Sequence, residues 1–290
     1  MSLKIAIQGI ESSFHHLAVQ QLFPNQEVEL VKCSSFERVT DAITNMEADF
    51  GVLAIENTIA GSILPNYNLI DAANLSIIDE TFLNIQMYIM ALPSQTIHDI
   101  EEIHSHPVAL LQCKDYLRRL SPQVKIIEGA DTASEAKKIK ENNLRGVASI
   151  AGKHVAEQFG LKILDSRIQN MKENQTRFVL IGDQPLESHP EMNKASLRFE
   201  LDHRVGSLSS TLQLFNTFNI NLTKIQSLPI INQPWQYAFF IDVTFEDVEL
   251  FKEVTAVLKK AVKGLKIVGV YTHNVENKPS RTLEVMVHGE

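Results

Sequence analysis

Four short polar segments have the residue types that bind small anions. Residues 9–14, 56–62, 105–107 and 149–152 each follow a predicted strand and carry backbone N–H groups or short polar side chains where a helix is predicted to begin. Helix N-termini offer unpaired N–H groups and a partial positive charge, which suit a carboxylate or a phosphate. Ordinary helix capping is the simpler explanation of each segment taken alone.

The elements that would position these segments alternate along residues 4–181. The predicted strands are 4–8, 28–32, 51–55, 85–92, 100–105, 124–128, 146–150 and 177–181. Amphipathic helical patterns separate them, and residues 34–37 and 132–135 match the capping box with which many helices begin. This alternation predicts mostly parallel sheets covered by helices, which bind ligands at the carboxyl ends of their strands.

The composition limits the classes of protein. The 290 residues include 27 lysines and arginines against 35 aspartates and glutamates, a formal net charge of −8. This acidic balance argues against a nucleic-acid partner, which usually requires a basic surface. Cys33 and Cys113 are too far apart in the sequence for a metal-binding pair or a disulfide framework. We expect a cytoplasmic protein with no metal site at the cysteines and no membrane span.

The C-terminal part has a different pattern. Residues 183–194 contain two prolines and no apolar periodicity, so we interpret them as a linker. Residues 195–275 predict the order strand, helix, strand, strand, helix, strand, which is the ferredoxin-like split pattern. Residues 276–290 are predicted to be a tail.

Several strings resemble the signatures of one enzyme family. Ala54-Ile-Glu-Asn-Thr-Ile-Ala-Gly-Ser62 resembles the loop P-I-E-N-S-x-x-G-S, and Ser105-His-Pro-Val-Ala-Leu-Leu-Gln-Cys113 resembles S-H-P-Q-A-L-x-Q-C. Asn174-Gln-Thr-Arg-Phe178 matches N-x-T-R-F, and residues 9–14 are a degraded form of G-P-x-G-S/T-F. Residues 203–208 and 221–229 look like the two signature stretches of ACT regulatory domains. Together these strings are similar to those of prephenate dehydratases with a C-terminal ACT domain.

The resemblance implies an α/β fold with a periplasmic-binding-protein-like catalytic domain over residues 1–182. One lobe would comprise about 1–80 and 168–182, the other about 81–167, followed by an α+β ACT domain at 195–275. The implied reaction is the decarboxylating dehydration of prephenate to phenylpyruvate in L-phenylalanine biosynthesis, without a metal or other cofactor. Because the chain begins almost at the first predicted strand, we expect a monofunctional enzyme.

The same resemblance assigns roles to individual residues. Thr176 would hydrogen-bond the hydroxyl that leaves the substrate, and Arg177 is suited to a substrate carboxylate. A structural pair between Arg177 and Glu56 or Asp79 is equally open, with Glu56 interpreted as an orienting residue. Because Thr176 and Arg177 are neighbours in a predicted strand, both reach the substrate only if the strand ends there.

The other expected substrate contacts are mainly neutral donors and aromatic rings. They are Ser13, Phe14, Asn57, Thr58, Ser62, Ser105, His106, Asn174 and Phe178. His106 has an alternative role as a helix cap, while Gln112 and Cys113 are interpreted as packing residues. The chain departs from the family's usual proline, glycine, serine or threonine, and glutamine at Ile10, Ser12, His15 and Val108, respectively.

In the ACT region the resemblance implies an L-phenylalanine site and pairing into a homodimer or homotetramer. The expected effector residues are Val205, Gly206, Ser207, Leu208, Gln226, Ser227, Leu228 and Pro229. Gln226 and Leu228 replace a glutamate and an arginine of the family pattern, so weakened or absent regulation is the alternative. For the whole chain, the alternatives are an arogenate dehydratase and a non-catalytic small-molecule sensor.

Overall fold

A computed structural model of the chain describes residues 2–120, 122–185, 191–230, 233 and 236–273. The predicted tail and residues 186–190 of the predicted linker lie outside these ranges. The chain divides into two compact units, Met1–Ile63 with Thr81–Phe178 and Leu64–Glu80 with Val179–Glu290. Within the described ranges, no helix is long and apolar enough to cross a membrane.

Strands and helices alternate over much of the chain as the sequence predicts, but residues 76–84 and 162–166 form strands, and 64–72 a helix, that are not among the predicted elements. The strands are β1 (Leu3–Gln8), β2 (Val28–Cys33), β3 (Phe50–Asn57), β4 (Gly61–Ser62), β5 (Ser76–Asn84), β6 (Tyr88–Ala91), β7 (Glu102–Ser105), β8 (Lys125–Glu128), β9 (Val147–Ala151), β10 (Lys162–Ser166), β11 (Gln175–Gly182), β12 (Lys194–Glu200), β13 (Asn221–Pro229), β14 (Tyr237–Thr244) and β15 (Lys263–Tyr271). The helices are α1 (Phe14–Leu22), α2 (Phe36–Thr44), α3 (Leu64–Ala72), α4 (Pro107–Gln112), α5 (Lys114–Leu117), α6 (Thr132–Glu141), α7 (Lys153–Phe159), α8 (Ser207–Thr217) and α9 (Val248–Ala261).

Two sheets form the α/β part of the chain. The first has the order β2-β1-β3-β11-β5, with β4 paired to β3, and β1 runs parallel to both its neighbours. The second has the order β10-β6-β9-β7-β8. In the second sheet β7 is parallel to its neighbours, whereas β6 is antiparallel to β9 and β10. The predicted α/β fold with two sheets is confirmed, although the second sheet is mixed.

Two helix starts differ by one residue from the predicted capping boxes. The cap of α2 is Ser35, whose hydroxyl accepts the Arg38 N–H, rather than Ser34. The cap of α6 is Asp131, whose carboxylate accepts both the N–H and the hydroxyl of Ser134. In both cases the capping residue has an extended backbone, which allows its side chain to accept a hydrogen bond from the first turn of the helix. Sequence spacing alone does not tell which of two neighbouring polar residues caps the helix.

The third sheet is antiparallel and has the order β13-β14-β12-β15, with α8 and α9 in the connections. The chain order β12, α8, β13, β14, α9, β15 confirms the predicted split pattern. The aromatic and aliphatic side chains of Phe199, Phe215, Ile241, Val254 and Leu258 form its buried core.

A buried ion pair fixes the start of this sheet within the second unit. Lys194 Nζ donates to both carboxylate oxygens of Glu80, at 2.9 and 2.8 Å, and His273 Nδ1 lies 2.6 Å from one of them. Both charged side chains are almost fully buried. Because the pair is buried away from water, each charge is neutralised by the other. Removal of one partner would leave a buried charge without compensation and would destabilise the fold strongly.

Candidate active site

A cavity of about 280 Å³ lies in the first unit, where the starts of four helices meet the ends of β1 and β3 and the start of β11. Phe14 of α1, His106 at the start of α4 and Thr132 of α6 form part of its wall, with Asn57 of β3 and Thr176 of β11. Three of the four predicted polar segments therefore meet at one place. Residues 149–152 do not belong to the wall, where the start of α6 contributes instead.

Most of the cavity wall is apolar. Its apolar side chains include those of Phe14, Phe36, Ile63, Ile85, Met87 and Phe178. The polar groups of Asn57, Gln112 and Thr176 belong to the same wall. Such a surface suits a small ring that carries a few polar substituents.

The amide of Asn57 has a fixed orientation. Its Oδ1 accepts the backbone N–H groups of Ile59 and Ala60 at 3.0 and 2.8 Å. Its Nδ2 is therefore the end that donates to Asn174 Oδ1 at 2.7 Å and to Thr176 Oγ1 at 2.9 Å. Two backbone donors thus decide which atom of Asn57 faces Thr176.

The Thr176 hydroxyl receives a hydrogen bond and keeps its own hydrogen available. Among the described residues, no acceptor for that hydrogen lies within hydrogen-bond distance. Thr176 is 8% exposed and belongs to the cavity wall, so a bound molecule is the natural acceptor. The arrangement converts an ordinary threonine into a directed donor.

Gln112 closes the polar network and was misjudged from the sequence. Its Oε1 accepts from Asn174 at 3.0 Å, and its Nε2 donates to Asn57 Oδ1 at 3.4 Å. The packing role expected for Gln112 is therefore wrong, because its amide supports the two asparagines. Cys113 does pack, and burial raises the pKa of its thiol to about 12.

Ser13 and His106 cap the helices that reach the cavity. Ser13 Oγ accepts the His16 N–H at 3.2 Å, and His106 Nδ1 accepts the Val108 N–H at 3.2 Å. Because Nδ1 of His106 accepts, its ring proton lies on Nε2, which is a donor. Ser12, where the family usually has glycine, takes the left-handed backbone with φ of 64°.

Other predicted site residues lie outside the cavity wall. Thr58 Oγ1 accepts the Gln175 N–H at 2.9 Å, Ser105 Oγ donates to the Ile150 carbonyl at 2.6 Å, and Ser62 faces Glu56 across the β3–β4 pair. These contacts hold the strands and the loop that carry the network.

Arg177 is also absent from the described wall. The strand β11 continues from Gln175 to Gly182, so Thr176 and Phe178 share the cavity face and Arg177 points to the other. From the sequence, Thr176 and Arg177 are expected to reach the substrate together only if the strand ends there, and the strand continues to Gly182. The predicted roles of Arg177 and Glu56 stay predictions.

The predicted effector residues are divided within the second unit. Ser207 and Leu208 line a cavity of about 310 Å³ together with Asp202, Arg204 and Lys263. Gly206 starts α8 with a φ of 87°, and Val205 beside it is fully exposed. The other predicted residues, Gln226, Ser227, Leu228 and Pro229, belong to β13 and do not line this cavity.

Comparison with known proteins agrees with the signature strings. The family model for prephenate dehydratase matches residues 5–186. The chain belongs to the prephenate dehydratase family. Among curated family members, the bifunctional chorismate mutase/prephenate dehydratase of Aquifex aeolicus is 30% identical, over 93% of this chain and 73% of its own. Arogenate dehydratase/prephenate dehydratase 2 of Arabidopsis thaliana is 32% identical over 83% of this chain, which spans 65% of that relative's length.

Solved structures support the fold of this family member. Prephenate dehydratase of Arthrobacter aurescens, solved with L-Phe, has a TM-score of 0.83 and 23% identity, covering 99% of this chain and 97% of its own. GqqA, described as a novel type of quorum quenching acylase, has a TM-score of 0.82 and 26% identity, covering 95% and 100%.

His15 is a residue of the cavity wall that the sequence reasoning missed. Its ring packs edge-on against Phe178 at a centroid distance of 5.1 Å and lies 5.6 Å from Phe36. Burial, with a smaller contribution from nearby His106, lowers the pKa of His15 to about 4. The departure from the family's Ser or Thr was the available signal, but only the fold shows that the position faces the cavity.

The depressed pKa of His15 predicts that acid destabilises the protein. Below pH 6.5 the unfolded His15 gains a proton that the folded protein does not take up until about pH 4. The free energy of unfolding should fall by about 1.4 kcal/mol per pH unit in this window from His15 alone. Urea unfolding of the wild type and His15→Phe from pH 7.5 to 4.5 would isolate this slope, since other histidines cancel. Parallel pH dependences would contradict the prediction.

Proposed function

We propose that the protein is a prephenate dehydratase that converts prephenate to phenylpyruvate. The observation that carries the proposal is the Thr176 hydroxyl, which Asn57 directs as a donor in an apolar cavity. Prephenate has a ring hydroxyl, a ring carboxylate and a side-chain carboxylate. The geometry offers the hydroxyl a donor and the ring an apolar enclosure.

The chemistry requires a C–C and a C–O bond to break. The ring carboxylate leaves as CO2, its bonding electrons enter the ring, and the ring hydroxyl departs with a proton as water. The ring becomes aromatic, which makes the reaction strongly downhill. Because hydroxide is a poor leaving group, a donor placed at the departing oxygen stabilises the transition state most. Threonine is a weak acid, so its hydroxyl acts as a hydrogen-bond donor, and water supplies the proton.

The cavity also suits the loss of CO2. No lysine or arginine belongs to its wall within the described part of the chain. A carboxylate against apolar side chains loses hydration without gaining a counter-charge, which favours its conversion to neutral CO2. The start of α1 remains available to hold the other carboxylate, whereas the start of α6 is capped by the Asp131 carboxylate.

Substitutions of Thr176 should distinguish the effect of its hydroxyl donor from the effect of its side-chain volume. Thr176→Val keeps the volume but removes the hydroxyl, so kcat on prephenate should fall by about 10²–10⁴-fold. Thr176→Ser keeps the donor and should retain most of the rate. Formation of phenylpyruvate by purified protein measures both. A valine variant that keeps a tenth of the wild-type rate would remove Thr176 from the mechanism.

The orientation of Asn57 gives a second prediction. Asn57→Asp is nearly isosteric, but a carboxylate accepts the Thr176 proton and turns the hydroxyl away from the substrate. The variant should lose kcat by a factor comparable to that of Thr176→Val. Its melting temperature above pH 7 should fall, because the buried carboxylate faces the Asn174 oxygen to which Nδ2 donates. The double variant with Thr176→Val should lose little more, since both changes remove one donor. Additive losses would show that Asn57 acts independently.

An arogenate dehydratase is the second candidate, favoured by one feature of the wall. Asp131 belongs to it, and its carboxylate could pair with the amine that replaces the keto group of prephenate. The comparison of kcat/KM on arogenate and prephenate decides between the two. Asp131→Asn keeps a capping side chain and should lower only the arogenate activity if that pairing occurs.

We propose further that L-phenylalanine binds the C-terminal part and inhibits a cytoplasmic homodimer or homotetramer. The Arthrobacter aurescens relative was solved with L-Phe, and a cavity at the start of α8 includes the expected Ser207 and Leu208. Titration calorimetry should detect L-phenylalanine binding, with light scattering for the oligomer. Gln226→Glu restores the family's charge and should tighten binding if β13 contributes. If L-phenylalanine neither releases heat on titration into the wild type nor inhibits it, the proposed regulation is wrong.

A further inference from the structure

His15 is a polar side chain without a protein partner. It is 8% exposed, and its Nε2 is buried with no hydrogen-bond partner among the described residues. The hydrogen bonds seen at this turn involve Ser12, Ser13 and His16, whereas neither the ring of His15 nor its backbone N–H takes part. Because Nε2 is shielded on all sides, the ring nitrogen that can reach a bound molecule is Nδ1, which also makes no hydrogen bond within the described chain. Buried polar groups are nearly always paired, so a ring with no bond at either nitrogen in a cavity wall indicates a missing partner.

Packing alone does not account for this histidine. The ring is enclosed by the aromatic side chains of Phe36 and Phe178, where phenylalanine would pack equally well without an unpaired nitrogen. The ring is uncharged at neutral pH, so it always carries one N–H donor and one acceptor nitrogen. It is therefore available for hydrogen bonding without adding a positive charge.

The surroundings of His15 select an anion as its partner. His15 is the second residue of α1, a nine-residue helix, and the N–H groups of Phe14 and His15 have no acceptor in the described chain. The donor Nε2 of His106 belongs to a side chain of the same wall. Asp131, the acidic residue of the wall, accepts two hydrogen bonds from Ser134 as the cap of α6. The two backbone N–H groups and the His106 Nε2–H are donors that an anion can satisfy.

We propose that His15 contacts the substrate and donates a hydrogen bond from its neutral ring to a carboxylate of the bound dianion. The carboxylate contacted is that of the side chain, which is present before and after the ring carboxylate leaves as CO2. The contact therefore sets substrate affinity rather than the rate of the chemical step. This inference rests on the proposed function and names a residue that determines its specificity for an acid.

Steady-state kinetics and calorimetry test this contact with three variants. His15→Phe keeps the aromatic shape, His15→Gln keeps an N–H donor, and His98→Phe makes the same change at an exposed position outside the wall. His15→Phe should raise KM for prephenate by about 10–100-fold, the loss expected for one hydrogen bond to a charged group, with kcat within threefold. His15→Gln should recover most of the affinity, and His98→Phe should match the wild type.

Direct binding separates affinity from turnover. Prephenate titrated into Thr176→Val, with and without His15→Phe, should show the same 10–100-fold change in Kd. The His15→Phe protein should also melt at a higher temperature, since it lacks an unpaired buried nitrogen. If the wild type turns over prephenate but His15→Phe leaves KM and Kd unchanged, the proposed contact is overturned while the proposed function stands. Neither turnover nor binding of prephenate by the wild type would overturn the proposed function and this contact with it.

Discussion

The polarity of the candidate site depends on two backbone N–H groups, those of Ile59 and Ala60, which hold Asn57 Oδ1. With that oxygen fixed, Nδ2 has to face Thr176, and the hydroxyl has to direct its hydrogen elsewhere. If the Asn57 amide were reversed, Thr176 would donate to it and its hydroxyl would no longer be available as a donor to a molecule in the cavity. A turn of four residues therefore determines the chemistry of a hydroxyl more than 100 positions away in the sequence.

The shared face of β11 explains why Thr176 and Arg177 separate. Alternation along a strand places Thr176 and Phe178 together and Arg177 on the other side. A directly facing guanidinium would stabilise the carboxylate that has to leave, so its absence from the described wall fits the proposed reaction. Under the proposed function, the dianion would be bound by the start of α1 and by neutral donors of a wall that is mainly apolar.

Sequence reasoning succeeded where the pattern is local and repeated. The alternation of strands and helices predicted both α/β sheets, and the split pattern predicted the third, because the apolar periodicity of each element decides its buried face. Sequence reasoning failed where two neighbouring residues can both cap a helix, and where residues distant in the sequence come into contact. Ser35 displaced Ser34 as a cap, and Gln112 joined the amide network because α4 brings it to Asn57 and Asn174. The position of His15 in the wall likewise depends on the packing of α1.

Neutral groups solve the conflict between an acidic protein and an acidic substrate. A net charge of −8 repels a dianion at long range, whereas a helix start or an imidazole of the cavity wall acts at short distance and among mainly apolar side chains. Hydrogen bonds from uncharged donors are stronger there than in water, and they add no cation that would hold the departing carboxylate. Under the proposed function, the Thr176 hydroxyl oriented by amides can thus assist the departing oxygen, while neutral histidines bind the carboxylate that stays.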